Sequence, residues 1–540
     1  MSQLTYIYKS IVTATFLSTA LACSLPETTV HEAAFDGNIL VGRPTDTSVA
    51  ISLLAFSGNE VYLEYGSSAD QYTHSTDAQL VQEDDAHVFD VNNLEANTEY
   101  FYRIRFRTDS SQSFATSSEY GFDTQKAEGS TFNFAVQADP HLGARTRFQK
   151  WCGERCLREK SDDRVFAQTM KSLLRYEPDF LVDLGDTFMT AQNHSNGMFA
   201  IQERVEAAPI TEAEVLDDVL YLRSLMSQAG SSVPIMLVQG NHEAEDSFRL
   251  DGTPDNLAVW AVNARKKYFP SPTDNGFYSG STTEYDFIGR KDGYYSWEWG
   301  DALFVILDPF WEKNSGAPWA KSLGREQYDW LKETLASSDA TFRFVFIHHL
   351  VGGLSNPYGR SRGGALYSDY FEWGGRTPED FEKWDPSNFE RFDAMVGTDS
   401  SNFDKYPIRR VDSSLEAYEF DAYRPGWGAP IQQLLIENNV QIVFHGHDHL
   451  YVKEKHPSGI IYQLVPTPAR AGGEYNQDQL TFSAAAQGYD TENGVVFENA
   501  GFLNVTVSTD RVTVDYVKNI EGCTEEPCSE IVTSYSVEKN

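Results

Sequence analysis

The stretch Gly446-His447-Asp448-His449 decides the fold of this chain, because it directly follows a short apolar run, residues 441–445 (QIVFH). A run rich in Ile, Val and Phe is typical of a buried strand, so the two histidines stand where that strand ends and a loop begins. Open α/β sheets carry their functional sites at such strand ends. Two histidines alone are equally compatible with a functional pair and with ordinary surface or core histidines, and the rest of the chain decides between these interpretations.

Four other strand-like runs end in the same kinds of residue. A Gly or Pro stands close to the polar side chains in most of them, as a tight turn after a strand requires. The runs and their polar ends are 132–138 before Asp139 and His141, 180–184 before Asp186, 234–239 before Asn241, His242 and Glu243, and 343–347 before His348 and His349. Five such strand ends in one chain predict a common site.

The bulk properties indicate a globular chain with more than one domain. At 540 residues the chain is too long for one ordinary core, and 41% apolar and 13% aromatic residues argue against disorder. The net charge of -36 makes nucleic acid a poor surface partner and favours divalent cations. A heavily solvated acidic surface without any catalytic role would explain the same charge.

The first 22 residues predict an export signal. Lys9 precedes an apolar stretch at 11–21 that is too short to span a bilayer, and residues 20–22 (ALA) offer a cleavage site before Cys23. The position of Cys23 resembles a bacterial lipobox, which predicts a lipidated N-terminus attached to a membrane. Ala20 departs from the usual Leu, so cleavage without lipidation stays open. The protein is therefore expected to be periplasmic, an outer-membrane lipoprotein or secreted.

The remaining cysteines form two locally spaced pairs, Cys152 with Cys156 and Cys523 with Cys528. An oxidising compartment would allow both pairs to become disulfides. Two free thiols are the alternative for the first pair, because a zinc site would need a second pair nearby.

Residues 30–125 predict a small β-sandwich. The runs 48–53, 61–65, 87–91 and 100–106 alternate apolar and polar residues, as half-buried antiparallel strands do. The segment 94–100 (LEANTEY) resembles a corner of fibronectin type III domains, in which the Tyr hydroxyl bonds back to the chain. We interpret this region as a packing or positioning module, with carbohydrate or surface binding as the alternative.

Helices are predicted between the first three strand ends. Asp162 and Asp163 place acids at the start of one helix, while Thr211 and Glu214 form a capping box for the next, which Gly230 can end. The order β-α-β-α-β makes the strands parallel and gathers their polar ends at one edge of the sheet.

The five motifs occur in an order, over roughly residues 130–470, that resembles the calcineurin-like metallophosphoesterase superfamily. The resemblance implies an α/β (α+β) four-layer sandwich of two mixed β-sheets flanked by helices. This domain is expected at 130–520, with an insertion at about 352–428 and a peripheral tail at 521–540. The runs 460–465 and 502–507 are predicted to complete the second sheet.

The resemblance also implies two metal ions that share a hydroxide, which attacks the phosphorus of a phosphoric ester. Mixed His, Asp and Asn ligands suit Mn, Fe, Zn or Co. Asp186 belongs to both implied ligand sets and would bridge the ions. The ligands of one ion would be Asp139, His141, Asp186 and His449. The ligands of the other ion would be Asp186, Asn241, His348 and His447.

Other side chains are expected to serve catalysis and substrate binding. His242 is left over from ligation and is the candidate to donate a proton to the leaving oxygen. The family pattern favours His348 as the ligand and leaves His349 either on the substrate side or as a group that supports the ligands. Arg360 and Arg362 lie in the insertion and could hold a phosphate, although an insertion that merely packs on the sheet is an equal alternative.

Purple acid phosphatases also carry an N-terminal β-sandwich, but their metal motifs differ from those of this chain. Their second motif ends in an iron-binding Tyr, where this chain has 185–189 (GDTFM), and their first motif has Gly in place of His141. An iron-tyrosinate centre is therefore not expected. The sequence predicts an exported phosphomonoesterase, with a phosphodiesterase or a non-catalytic scaffold protein as alternatives.

Overall fold

The computed structural model describes residues 33–142, 161–187, 211–312, 322–351, 354–355, 361–362, 372–374, 420, 424–473, 476–487, 489–520, 522–523 and 527–539. The predicted signal segment, Cys23 and the pair Cys152 and Cys156 lie outside these residues, as does most of the predicted insertion. Among the helices of the described ranges, none is both long enough and apolar enough to cross a membrane.

The N-terminal region is built from antiparallel β-strands. One sheet has the order β1-β2-β6, and the other has the order β4-β3-β7-β8 with β5 paired to β3 and β9 paired to β7. The strands are β1 (Gly37–Gly42), β2 (Ser48–Ala55), β3 (Asn59–Gly66), β4 (His74–Ser75), β5 (Gln79–Val81), β6 (Ala86–Asn92), β7 (Glu99–Arg107), β8 (Ala115–Thr116) and β9 (Tyr120–Asp123).

The core of this region lies between the two sheets and confirms the predicted all-β architecture. Alternate residues of β2 and β7, among them Ile51, Leu53 and Ile104, are buried in one apolar cluster. The predicted corner is also confirmed, because the Tyr100 hydroxyl accepts a hydrogen bond from the backbone N–H of Glu95 at 2.9 Å.

The second region contains two large mixed sheets and two strand pairs. Its strands are β10 (Phe132–Gln137), β11 (Leu181–Asp183), β12 (Ile235–Leu237), β13 (Ser279–Gly280), β14 (Glu284–Tyr285), β15 (Gly289–Arg290), β16 (Tyr295–Trp299), β17 (Ala302–Leu307), β18 (Phe342–Ile347), β19 (Leu354–Ser355), β20 (Ser361–Arg362), β21 (Ile442–His445), β22 (Tyr451–Lys455), β23 (Ile461–Leu464), β24 (Val495–Phe497), β25 (Gly501–Val507), β26 (Arg511–Asn519) and β27 (Ser529–Glu538).

Helices connect and cover these strands. They are α1 (Asp163–Leu174), α2 (Glu212–Gly230), α3 (Leu257–Tyr268), α4 (Gly324–Ser337), α5 (Ile431–Glu437) and α6 (Gln477–Ala486), with a 3₁₀ turn at Ser247–Arg249. The predicted helix starts are confirmed: Asp162 caps α1, and the capping box of Thr211 and Glu214 opens α2. Gly230 is the last residue of α2, as the sequence predicts.

The sheet order explains how the strand ends come together. The first sheet has the order β12-β11-β10-β25-β26-β27, with β10, β11 and β12 parallel. The second has the order β13-β16-β17-β18-β21-β23-β22-β24, in which β17, β18, β21 and β23 are parallel. Parallel strands present all their carboxyl ends at one edge of each sheet.

The two sheets face each other, with helices on both outer sides. Phe134 of β10 and Phe346 of β18 lie in the aromatic core between the sheets. Their chain neighbours point the other way: Ala135 packs in the cluster under α1 and α2, and Val345 packs in the cluster under α4 and α5. This alternation confirms the predicted four-layer sandwich, because successive strand residues face opposite sides of a sheet.

One strand lies in a different sheet from the one predicted. The run 502–507 forms β25, which pairs antiparallel with β10 in the first sheet rather than completing the second, so that prediction is wrong. The C-terminal residues form β27 at the edge of the same sheet. A disulfide joins Cys523 to Cys528 before β27, which confirms the predicted pairing of these two cysteines.

The two regions are joined by a buried arginine. Arg223 of α2 is 0% exposed, and its guanidinium donates to Ser52 O at 2.8 Å, to Ser52 Oγ at 3.2 Å and to Tyr268 O. Burial lowers the pKa of Arg223 to about 9. The contact ties β2 of the sandwich to the helices beside the first sheet.

Candidate metal centre

All seven predicted ligands stand just after the carboxyl ends of five parallel strands. Asp139 and His141 follow β10, Asp186 follows β11, and Asn241 follows β12. The second sheet contributes His348 after β18, and His447 and His449 after β21. The carboxyl ends of strands from both sheets therefore meet at one place, and the turns there carry the predicted polar ligands.

The backbone at these turns adopts a conformation that L-residues rarely accept. The φ angle is positive at Asp139 (53°), His141 (47°), Asp186 (50°), His447 (76°) and His449 (55°). Each such residue costs on the order of 1–3 kcal/mol and persists only where the surroundings impose it, and such residues cluster at functional sites. Five residues with positive φ in one cluster indicate that the contacts of their side chains impose the backbone conformation of the turns.

Two glycines allow the turns to approach each other. A Cβ on Gly240 would stand 2.2 Å from the backbone N and 2.5 Å from Oδ1 of Asp186. A Cβ on Gly446 would stand 2.6 Å from Oδ2 of Asp139. Neither distance is possible between real atoms, so both positions require glycine for close packing.

The first group of ligand atoms surrounds a point between the two sheets. His141 Nε2 lies 3.0 Å from His449 Nε2, and His449 Nε2 lies 3.3 Å from Asp139 Oδ1. His141 Nε2 is 3.9 Å from both Asp139 Oδ1 and Asp186 Oδ2. Ligands about 2.1 Å from one ion stand roughly 3–4 Å from each other, so these separations match a shared cation.

The second group shares Asp186 with the first. His348 Nε2 lies 3.3 Å from Asp186 Oδ2 and 3.2 Å from Asn241 Oδ1. Asp186, His348 and His447 also form a group whose ligand atoms lie within 4.8 Å of one another. Asp186 therefore stands between two ligand groups, in the place that a bridging carboxylate would occupy.

His242 lies close to the predicted ligands, although the sequence analysis leaves it out of both ligand sets. Its Nε2 is 3.6 Å from Asp186 Oδ2, and it forms a further group with His141 and Asp186. Its side chain is 18% exposed, whereas those of Asp139, His141 and Asp186 are at most 3% exposed. His242 thus joins the buried ligands to the solvent side of the centre.

Comparisons with known proteins agree with this geometry. Residues 132–372 match the family model of the calcineurin-like phosphoesterases. The chain contains a calcineurin-like phosphoesterase domain. A comparison with curated proteins finds no match.

Two solved structures share the fold over almost the whole chain. The structure of PhoD is 14% identical, with a TM-score of 0.59, and the match covers 96% of this chain and 92% of that one. The purple acid phosphatase PPD1 from yellow lupin (Lupinus luteus) seeds is 15% identical, with a TM-score of 0.53, and the match covers 93% of this chain and 74% of that one. Together with the family match, they support a metal-dependent hydrolase of phosphoric esters.

The donor atoms of this phosphoesterase domain fit metal ions. Asp139 directs Oδ2 to the backbone N–H of His447 at 2.7 Å, and Asp186 directs Oδ1 to that of His242 at 2.8 Å. The other oxygen of each carboxylate faces the imidazoles. Asp139 Oδ1 is buried and accepts no hydrogen bond of good geometry from any residue within the described ranges. Such an oxygen is costly to bury without a partner, and a cation would satisfy it.

The histidine tautomer and the carboxylate charges also suit metal binding. His348 Nδ1 lies 2.8 Å from Leu184 O, so Nδ1 carries the proton and Nε2 offers its lone pair to the centre. Burial would raise the pKa of Asp139 and Asp186, but nearby imidazoles outweigh it and lower the pKa of each carboxyl. His449 acts most strongly on Asp139, and His242 on Asp186. Lowered pKa values favour the ionised form of both acids, which is the form that binds metal ions.

Glu243 supports the turns and had no role assigned from the sequence. Its Oε2 accepts from the backbone N–H groups of Gly240 (2.7 Å) and Asp186 (3.1 Å), and its Oε1 accepts from that of Thr187 (2.8 Å). Burial, with the Asp186 carboxylate, raises the pKa of Glu243 to about 8, whereas cations at the centre would lower it. In the sequence, the signal for a role of Glu243 was its position directly after His242.

Of the predicted substrate-binding residues, the structure places one beside the centre and does not describe the side chains of the others. His349 is buried, and its ring centroid lies 4.4 Å from that of His447, so it lies beside the centre. Arg360 lies outside the described residues. Arg362 lies in β20, but its side chain is outside what the structure describes. Met189, at the end of the stretch compared with the iron-binding Tyr motif, lies outside the described residues. The Thr187 hydroxyl donates to Asp183 Oδ1 at 3.0 Å.

Proposed function

We propose that this protein is an exported phosphomonoesterase whose reaction depends on two metal ions. The observation that carries the proposal is the meeting of seven ligand-type side chains, from five strand ends, around Asp186. Random surface clusters of His and Asp are common, but here the ligands are buried and held by strained turns. A scaffold protein that had lost catalysis would have no reason to keep every one of these residues.

Two bound metal ions would supply an activated water and would neutralise the charge of a phosphoryl group. The chain itself holds the reacting groups in place and limits access to them. Asp139, His141, Asp186 and His348 are buried, so their charges act in a medium of low dielectric. His242 stands at the exposed side, where it can give a proton to the leaving oxygen.

The preference for monoesters rests on architecture. One of the two structures compared above is a purple acid phosphatase, and both matches extend over the N-terminal sandwich. A phosphodiesterase built on the same centre is the alternative. Mixed His, Asp and Asn ligands remain compatible with Mn, Fe, Zn or Co.

Export rests on the sequence of the first 23 residues and on the C-terminal disulfide. Residues 1–22 have the pattern of an export signal, and Cys23 occupies the position of a lipidated cysteine. The disulfide of Cys523 with Cys528 supports an oxidising compartment, where such bonds persist.

The test is a side-by-side assay of the purified mature protein on phosphate monoesters and diesters, with elemental analysis of the same sample. We expect about two metal ions per chain, activity that a chelator removes and metal restores, and a higher kcat/KM on the monoester. A higher kcat/KM on the diester would establish the alternative enzyme. Full metal content without activity on either ester would favour a binding protein.

A further inference from the structure

Asp448 stands between two predicted ligands, and the sequence predicts no role for it. His447 belongs to the ligand group of one ion, and His449 belongs to that of the other. Both histidines have positive φ, and the backbone N–H of Asp448 donates to Gly446 O at 3.0 Å, which closes a tight turn at His447. A displacement of Asp448 would therefore move one ligand of each ion.

The Asp448 carboxylate is held by a tyrosine from a later part of the chain. The Tyr489 hydroxyl donates to Asp448 Oδ2 at 2.7 Å. Both residues are only 4% exposed, so water cannot easily take the place of the hydroxyl. Hydrogen bonds to a charged acceptor are stronger than those between neutral groups. The bond therefore couples the position of the turn to that of Tyr489.

Tyr489 is itself fixed on the outer side of the second sheet. Its ring lies parallel to that of His445, with 11° between the planes and 6.2 Å between the centroids. Phe444 faces the core between the sheets, so His445 faces the outer side, where Tyr489 packs in one apolar cluster with Leu450. The backbone N–H of Tyr489 donates to O of Ala484, in the last turn of α6, at 3.0 Å. The hydroxyl is therefore carried by a well-packed element.

A buried hydrogen bond of this kind could serve stability alone. Its location favours a role at the metal centre, because Tyr489 bonds to the one residue that lies between the two histidines. Side chains that bind metal need partners that hold them in place, and loss of such partners lowers metal affinity. A tyrosine that only stabilises the fold would leave metal affinity unchanged.

We propose that Tyr489 is a positioning residue of the metal centre, which acts through Asp448 to hold His447 and His449 in the geometry that binds two divalent cations. This inference rests on the metal centre of the proposed function. His449 Nε2 faces Asp139 Oδ1 at 3.3 Å, and His447 belongs to the group around Asp186. The imidazoles thus face the centre, whereas the Asp448 side chain holds the turn from the outer side of the sheet.

The experiment removes each partner of this bond from the full mature protein. Tyr489→Phe removes the hydroxyl and keeps the ring. Asp448→Ala removes the acceptor, and a double variant removes both. Asp448→Asn keeps a partner, because a Tyr hydroxyl can donate to an amide oxygen or accept from an amide N–H.

Tyr102→Phe is the matched control. Tyr102 is also buried, and its hydroxyl donates to Ser231 O at 2.6 Å. Ser231 precedes β12, whereas the predicted ligand Asn241 follows the carboxyl end of that strand. The control therefore loses a buried hydrogen bond at the opposite end of the strand from the metal centre.

Each protein is freed of metal and titrated with Mn²⁺ by calorimetry, and its unfolding by denaturant is measured without metal. Tyr489→Phe should bind both Mn²⁺ ions about 10- to 100-fold more weakly, as for other residues that orient ligands. Asp448→Asn should lose about 3- to 10-fold, because a bond to a neutral acceptor has roughly half the strength of one to a charged acceptor. In the Asp448→Ala background, Tyr489→Phe should change the affinity by about 2-fold or less, since the partner of the hydroxyl is already absent. Tyr102→Phe should lose stability and bind Mn²⁺ like wild type.

Three results would each overturn the inference: wild-type Mn²⁺ affinity in Tyr489→Phe, an equal loss of affinity in Tyr102→Phe, or an undiminished effect of Tyr489→Phe in the Asp448→Ala background. The titrations contain no substrate, so they separate failure of the inference from failure of the proposed function. A wild-type protein that binds two Mn²⁺ ions and hydrolyses neither ester would reject the proposed function, and the Mn²⁺ affinities of the variants would still decide the role of Tyr489.

Discussion

Replacing Glu243 by Gln should weaken the metal centre although Glu243 is not one of the predicted ligands. Glu243 accepts three backbone N–H groups, two on Oε2 and one on Oε1. A Gln side chain has one accepting oxygen, so in either orientation its NH₂ group faces at least one backbone N–H. The turns that carry Asp186 and Asn241 would lose the anchor between them.

The magnitude follows from these bonds. Losing one hydrogen bond to a charged acceptor, and burying a donor without a partner, costs about 2–3 kcal/mol of unfolding free energy. Displacement of the turn at Asp186 should also weaken metal binding by about 10- to 100-fold, as for other residues that orient ligands. Denaturant unfolding and titration with metal would measure the two effects on one preparation.

Glu245→Gln is the control. Glu245 is equally buried and lies two residues further on, but it pairs with Arg265 at 2.6 Å rather than with the turns. Its replacement should lower stability and leave metal affinity unchanged. The reasoning would be refuted by a Glu243→Gln protein with wild-type metal affinity, or by equal losses of metal affinity in both variants.

Three further outcomes are expected. His242→Ala should lower kcat by about 10²- to 10⁴-fold on an alkyl phosphate and much less on a nitrophenyl ester, which needs no proton to depart; equal losses would argue against an acid role. If Cys23 is lipidated, the mature protein should partition into detergent and lose this property in Cys23→Ser, whereas a soluble wild type with one titratable thiol would indicate simple secretion. Burial, with Asp123 nearby, raises the pKa of Asp179 in the folded protein to about 6. The stability that its protonated form contributes is therefore complete below about pH 4 and is lost as pH rises through 6. The difference in unfolding free energy between Asp179→Asn and wild type should rise by about 3 kcal/mol from pH 4 to 7, and a difference that does not change with pH would contradict this.

The strand ends were predictable because their signals are local. A buried apolar run followed by Gly or Pro and a polar side chain specifies both the strand and the turn, as at Asp186 and His447. Helix starts were predictable for the same reason, since the capping box of Thr211 and Glu214 lies within four residues. The parallel order then follows from the β-α-β connections.

Features that depend on distant backbone atoms were not predictable. The role of Glu243 is set by which backbone N–H groups the fold brings to it. The run 502–507 has a clear strand pattern, but alternation identifies a strand and not its partner, so its pairing with β10 was missed.

The most direct test of the central claim is the metal content of Asp186→Asn. Asp186 Oδ2 lies 3.3 Å from His348 Nε2 and 3.9 Å from His141 Nε2, one in each ligand group. A neutral amide cannot replace an anionic ligand shared by two cations. Elemental analysis should therefore show that both metal ions are depleted together, from about two per chain in wild type to well below one. A variant that keeps about two ions per chain and remains active would contradict the bridging role of Asp186.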